Sequence, residues 1–300
     1  MQFSEAILEY TFDCKIRKLS PKSIDNYRKQ LLYLQRYLEQ EHDVQEIEEV
    51  HAYHIKEFLA MMDDKKRKPR YINDLLKVFR TFFNYMKAEG HIRTQPTAQI
   101  HNMKQPKVKI QTFTPNDIRN MLNYFSGRDY LSIRNKTILA LMFDTGMRIN
   151  EVITLCPDQL REDHILVHGK GNKERVVPVS AYLGKALMQY QLARDSYFDG
   201  KLPERYLFVS RSGKKLTHEG IAKFMKVAAT EVGVNGSIRV SPHTCRHTFA
   251  HLHLRNGLDI YSLSRVMGHE SISITQRYLE GIKDDQVLKA AQKTGVLQNL

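Results

Sequence analysis

Cysteine is scarce in this 300-residue chain: Cys14, Cys156 and Cys245 are odd in number and stand far apart. That pattern excludes a disulfide framework and a CxxC metal clip. No basic-then-apolar segment opens the sequence, and no apolar run approaches the ~20 residues needed to cross a bilayer. A cytoplasmic protein with no membrane partner is therefore expected. Internal repeats and low-complexity tracts are also missing. One further absence is chemical. His243, Arg246, His269 and Tyr278 fall within 36 residues, and none of those four positions holds a carboxylate. That inventory suits an anionic substrate better than a metal ion.

Cationic residues are abundant. The formal charge is +13 and the pI near 9.5. Residues 1–106 carry 18 Lys/Arg against 15 Asp/Glu, a balance of +3, whereas residues 107–300 carry 28 against 18, a balance of +10. A polyanionic partner, most economically nucleic acid, accounts for this excess. Charge alone leaves open a basic protein with no specific partner.

Periodicity predicts helices in the first hundred residues. Ser20-Pro21 is a cap and first-turn pair, and Ile24, Tyr27, Leu31, Leu34 and Leu38 follow at three- and four-residue steps to about His42. Two further helices are read from Ile55, Phe58, Leu59 and Met62, and from Ile72 through Met86 with a stop at Gly90. Between them Lys65, Lys66, Arg67, Lys68 and Arg70 form a basic run at a helix entrance, either a solvated loop or a phosphate clamp. Residues 101–113, with Lys107 and Lys109, lack periodicity and read as an interdomain linker. Thr114-Pro115-Asn-Asp117 then starts a new helix. Residues 1–106 and 107–300 are thus expected as two domains. The second is mostly helical with a single hairpin, His164–His168 and Arg175–Val179, whose tip carries Lys170 and Lys173. The fold class is mainly α with a small β-hairpin, an α+β protein.

Ser241-Pro242 places His243 in the first turn of a helix and Arg246 one turn on. A helix N-terminus favours a bound phosphate, and the planar arginine fork can grip two of its oxygens. The helix stops at Asn256-Gly257, and a second one from about Asp259 ends at Gly268, leaving His269 just beyond it. A phenol of pKa about 10 is only ~0.1% ionised at neutral pH, a deficit of roughly 4 kcal/mol. A nucleophilic Tyr278 would need cations and a base beside it, and this segment supplies both. Each residue alone has a plainer reading: Arg148 as a salt-bridge partner of Glu151, Lys170 as an exposed turn lysine, His247 and His251 as packing residues.

Taken together, His243-x-x-Arg246, Gly268-His269 and Tyr278 nine residues later, preceded by Thr-Gly-x-Arg148-x-x-Glu151 and Gly-Lys170-Gly-Asn-Lys-Glu-Arg, resemble the tyrosine recombinase (phage integrase) family. The similarity covers nearly the whole chain, and the layout resembles Xer-type recombinases and the short integrases of mobile elements. The resemblance implies a SAM-like, core-binding helical domain and a catalytic domain that together form a C-shaped DNA clamp. It implies that Tyr278 attacks a DNA phosphodiester to leave a 3′-phosphotyrosyl bond and a free 5′ hydroxyl. Arg148 and Arg246 would hold the non-bridging oxygens and Lys170 would protonate the departing oxygen. His243 would serve the tyrosine as acid and base, His269 would bond the same phosphate, and Glu151 would orient the cations. No metal and no cofactor is implied. Double-stranded DNA with a core site is the implied partner. Four copies would act in the synaptic complex and a monomer or weak dimer would exist when free, with accessory proteins as further candidates and the bacterial nucleoid as the location. The segment 282–300 would be a tail that docks on a neighbour, or else a helix folded back on its own domain. Cys245, His251 and Pro157-Asp158 depart from residues usual in Xer proteins, which weakens an assignment to chromosome-dimer resolution. A type IB topoisomerase-like enzyme and a DNA-binding protein without catalysis remain alternatives.

Overall fold

The first four helices are α1 (Phe3–Ile16), α2 (Pro21–His42), α3 (Ala52–Asp64) and α4 (Pro69–Ala88), and apolar spacing accounts for the last three. The computed structural model describes residues 1–106, 111–168, 174–269, 271–276 and 278. The chain forms two compact units that divide between Lys107 and Val108. Ser20 Oγ accepts from Ser23 N at 3.2 Å at the start of α2, and Leu31, Leu34 and Leu38 are buried along one side of it. On α4 every expected apolar position from Ile72 to Met86 is buried, and Phe82 stacks on Phe3 with ring centroids 5.5 Å apart. The basic run forms the α3–α4 turn. Lys65 closes α3 and Lys68 caps α4, with exposed side chains throughout the run except at Pro69.

Helix α1 has no counterpart in the patterns read from the sequence. Its buried residues are Phe3, Ala6, Ile7, Tyr10, Thr11 and Cys14, but Leu8, Phe12 and Ile16 stand out in solvent at about two-thirds exposure. Apolar side chains on both faces erase the periodicity that betrays an amphipathic helix.

The expected linker is narrower than 101–113. Asn73 on α4 binds the backbone of Met103 twice, donating to its carbonyl at 3.0 Å and accepting from its N–H at 2.8 Å. Arg80 reaches Asn102 Oδ1 and the Ile100 carbonyl. At the far end Phe113 is buried in the second unit, and its N–H donates to Thr248 Oγ1 at 3.1 Å. Lys107 and Lys109 lie outside the described residues.

The second unit contains α5 (Pro115–Tyr124), α6 (Tyr130–Thr145), α7 (Ile149–Thr154), strands β1 (His164–His168) and β2 (Glu174–Pro178), then α8 (Ala181–Tyr197), α9 (His218–Glu231), α10 (Pro242–Arg255), α11 (Ile260–Met267) and α12 (Ile272–Gln276). Thr114 caps α5 reciprocally with Asp117, as the Thr-Pro-Asn-Asp string predicts. Five successive residues of α6, Ile138–Met142, are buried, so this helix is surrounded; α5, α8, α9 and α10 all pack on it. The strands pair antiparallel, with His164 opposite Pro178 and His168 opposite Glu174. Strand β2 lies against α11. Lys170 and Lys173, expected at the hairpin tip, fall outside the described residues, as does the expected tail 282–300.

Candidate active site

Four chain segments meet around Glu151. The first is the corner between α6 and α7, where Gly146 takes a left-handed φ of +59° and Arg148 caps α7. Glu151 Oε2 accepts from the Arg148 N–H at 2.7 Å, and Oε1 accepts from Arg148 Nη1 at 3.1 Å. The second segment is β2. From it Arg175 meets the same carboxylate head-on, Nη1 to Oε1 at 2.8 Å and Nη2 to Oε2 at 2.7 Å. Burial alone would raise the Glu151 pKa; Arg175, and then Arg148, outweigh it and hold the carboxyl below its ordinary value.

The third segment is α10, started by Ser241 Oγ accepting from Thr244 N at 3.2 Å. His243 is exposed in its first turn, whereas Arg246 is only 4% exposed. Arg246 donates to the Gly146 carbonyl and to the Met267 carbonyl, each at 2.7 Å. Burial, and next the charge of Arg148, lower its pKa to about 10, so it stays cationic at neutral pH.

The fourth segment is the end of α11. Three arginines bond three successive carbonyls there: Arg175 Nε to Val266 at 3.0 Å, Arg246 Nη2 to Met267 at 2.7 Å, and Arg148 Nη2 to Gly268 at 2.9 Å. The last carbonyls of a helix lack intrahelical partners and carry its negative pole, so cations belong there. Gly268 closes the helix at φ +63°, and a Cβ on it would come 2.8 Å from Arg175 Cδ. Glycine here serves both the turn and the close approach.

His269 follows. Its Nδ1 lies 2.8 Å from the Thr275 hydroxyl, and its ring is nearly parallel to that of Tyr278, at 12° and 6.2 Å. Burial first, then Arg246, Arg148 and Arg175, push its pKa down to about 4 and keep it neutral. Tyr278 is buried with Phe249, Ala250, Leu263 and Met267, its N–H held by the Thr275 carbonyl at 3.0 Å. The Arg246 cation and the Tyr278 phenolate favour one another.

The structure therefore brings Arg148, Glu151, His243, Arg246, His269 and Tyr278 into one region of the second unit. Lys65, Lys66, Arg67, Lys68 and Arg70 belong to the first unit. Two participants escaped the sequence reading. Arg175 ends the Gly-Lys-Gly-Asn-Lys-Glu-Arg string and starts a predicted strand, but the sequence gives it no role in the site; the available signal is strand alternation, which puts it on the same face as the buried Val177. The sequence offers His247 as a packing residue. It does pack, but against Tyr278 at 5.2 Å and His243 at 4.2 Å, with a buried Nδ1 that has no hydrogen-bond partner among the described residues. Burial, and then His243 and Arg246, lower its pKa to about 4.

Comparisons with known proteins converge on the same region. The phage integrase family matches residues 111–283, and the phage integrase N-terminal SAM-like domain matches residues 12–90. The chain is 30% identical to tyrosine recombinase XerD of Listeria innocua over 263 residues, covering 87% of this chain and 88% of that protein. It is also 30% identical to tyrosine recombinase XerC of Histophilus somni over 264 residues, 87% of each. Among solved structures, the Tn1549 transposon integrase in complex with a circular intermediate DNA superposes with a TM-score of 0.74 at 18% identity, covering 98% of this chain and 100% of that one.

Proposed function

Because the chain belongs to the phage integrase family of tyrosine recombinases, which cleave and rejoin DNA at specific sites, we propose that Tyr278 is its nucleophile and the arginine cluster its phosphate clamp. Membership sets aside a topoisomerase-like enzyme and a DNA-binding protein without catalysis. The Tyr278 oxygen attacks phosphorus, the bond from phosphorus to the 5′ oxygen breaks, and a 3′-phosphotyrosyl ester and a 5′ hydroxyl result. Rejoining is the reverse step, with a 5′ hydroxyl as attacker. Double-stranded DNA is the substrate.

Ionising the phenol at neutral pH costs roughly 4 kcal/mol. A guanidinium ~5 Å away at an effective dielectric of ~20 offsets about 3 kcal/mol of that. Arg246 is suited to this and, with Arg148, to the two non-bridging oxygens as charge grows on them. His243, exposed on the first turn of α10, exchanges the phenolic proton. His269 is neutral; in the tautomer whose Nδ1 accepts from the Thr275 hydroxyl, Nε2 carries the hydrogen and donates it to the phosphate. A bound phosphate opposes the positive field that lowers the His269 pKa. Lys170 protonates the leaving 5′ oxygen. Lys65, Lys66, Arg67, Lys68, Arg70, Lys107, Lys109 and Lys173 contact the DNA backbone. Four copies exchange strands between two DNA sites, either to move a mobile element or to resolve dimers as Xer recombinases do.

One observation carries the reading: Arg148 and Arg246 hold adjacent carbonyls at the end of α11, and the two residues that follow them in the motif, His269 and Tyr278, lie ring to ring. A pool of nicked duplexes, randomised around the nick, tests it. The broken strand lets a short fragment escape, so the protein stays covalently attached to whatever sequence it cleaves. Tyr278→Phe should bind the selected duplex with unchanged affinity and form no adduct. A wild-type protein that traps no DNA, or a Tyr278→Phe protein that still does, refutes the proposal.

A further inference from the structure

We infer that Arg175 is a positioning residue for this reaction: by occupying Glu151 it keeps the Arg148 fork turned toward the substrate phosphate. The inference rests on the phosphate-clamp reading given above. Its basis is competition for one carboxylate. Glu151 lies three residues beyond Arg148 on the same helical turn, an arrangement that ordinarily yields a simple ion pair. Both carboxylate oxygens are instead taken head-on by Arg175, at 2.8 and 2.7 Å, and Arg148 Nη1 shares only Oε1, at 3.1 Å. The Arg175 and Glu151 side chains are only 10% and 9% exposed, whereas that of Arg148 is 44% exposed. The buried arginine thus holds the buried acid, and the accessible arginine remains accessible.

Arg175 itself is poorly placed to bind a substrate. Its Nη1 and Nη2 are committed to Glu151 and its Nε to the Val266 carbonyl. Those bonds tie β2, α7 and the end of α11 into one assembly. The same helix end supplies the carbonyls that orient Arg246 and Arg148. Gly268 keeps the Arg175 chain close, since its missing Cβ would stand 2.8 Å from Arg175 Cδ. With Arg175 replaced by a neutral side chain, Glu151 is free to take Arg148 bidentately, the geometry that carboxylate and guanidinium prefer. Arg148 then turns away from the phosphate.

The test measures the rate of phosphotyrosyl formation on a nicked duplex selected by wild-type adduct formation, and on the same duplex with a methylphosphonate at the cleaved position. That substitution removes one anionic non-bridging oxygen. Arg175→Gln should lower the rate on the phosphodiester ~100-fold, as misplaced catalytic groups do, with DNA affinity retained. On the methylphosphonate the loss should shrink to roughly 10-fold or less, because the misplaced arginine has less charge to stabilise. Arg175→Lys preserves the charge but reaches only one carboxylate oxygen at a time; it should fold and lose about 10-fold on the phosphodiester. Equal losses on both substrates mean that Arg175 only maintains structure, and overturn the inference. So does a wild-type rate in Arg175→Lys, which decides the matter if Arg175→Gln does not fold. A wild-type protein that forms no adduct removes instead the proposed function on which the inference stands.

Discussion

Replacing Gly146 by alanine is the sharpest structural test of how Arg246 is held. Gly146 closes α6 at φ +59°, and a Cβ there would stand 2.4 Å from Phe249 Cδ1 and 2.8 Å from Cγ. The ring cannot swing aside cheaply, because Phe249 is 3% exposed and packed with Leu263, Met267 and Tyr278. Two penalties add. A non-glycine residue in the left-handed region costs roughly 1–2 kcal/mol, and forcing a methyl into a filled core costs roughly 1–3 kcal/mol. About 3 kcal/mol is a central value for the sum, and for a unit of roughly this size each kcal/mol moves the melting temperature by ~2–4 °C. Gly146→Ala should therefore melt ~6–12 °C lower than wild type.

Gly233 supplies the control: its φ is +70°, but nothing lies within 4 Å of its Cβ position. Gly233→Ala should lose only the backbone term, ~2–4 °C for about 1 kcal/mol. Thermal unfolding of the full chain, followed by its helical signal, measures both. Function separates the two variants further. The Gly146 carbonyl accepts from Arg246 Nη1 at 2.7 Å, so a displaced corner displaces the guanidinium. At a temperature where both variants are folded, Gly146→Ala should form the covalent adduct ~10²-fold more slowly, and Gly233→Ala at the wild-type rate. Equal melting temperatures, or an unimpaired Gly146→Ala enzyme, would contradict the account of this corner.

DNA binding should weaken steeply with salt, since neutralised phosphates release counterions. Changing Lys65, Lys66, Arg67 and Lys68 together to glutamine should reduce the slope of log affinity against log salt by about 0.9 for every phosphate they contact; an unchanged slope removes the α3–α4 turn from the interface. Acid should destabilise the protein in part through His247 and His269, whose pKa values near 4 in the folded state lie below the ordinary histidine value. The unfolded chain binds the extra protons between about pH 6.5 and 4, so this stabilisation is complete above about 6.5 and is lost as pH falls toward 4. The double variant His247→Gln, His269→Gln should lose less stability than wild type over that window, and parallel curves would refute the assignment.

Helix ends were legible in the sequence because their chemistry is local. Ser20, Thr114, Ser241 and Asp259 each accept from a backbone N–H two or three residues ahead, a pattern any reader of the string can test. Helix α1 was not legible, since Leu8, Phe12 and Ile16 face solvent opposite its buried side. The motif residues were legible by type and spacing. What spacing could not reveal was the use to which neighbouring residues are put: His247 packs as expected, but its neighbour is Tyr278, 31 positions away in the chain. Arg175 meets a carboxylate 24 residues distant, a pairing that exists only once β2 has chosen its register beside α11.

The partners of the three arginines also divide their labour. A carboxylate fixes a guanidinium and cancels its charge, whereas a carbonyl fixes it and leaves the charge intact. Arg175 spends its charge on Glu151. Arg246 is oriented by the carbonyls of Gly146 and Met267, and Arg148 has a carbonyl on one arm and a shared carboxylate oxygen on the other. Three cations against one acid leave a formal surplus of two, matched to a phosphodiester whose negative charge grows as a phenolate adds to it. Burial first, and then the neighbouring charge of Arg148, lower the pKa of Arg246, and the negative pole of α11 offsets part of that cost without removing the charge that the reaction uses.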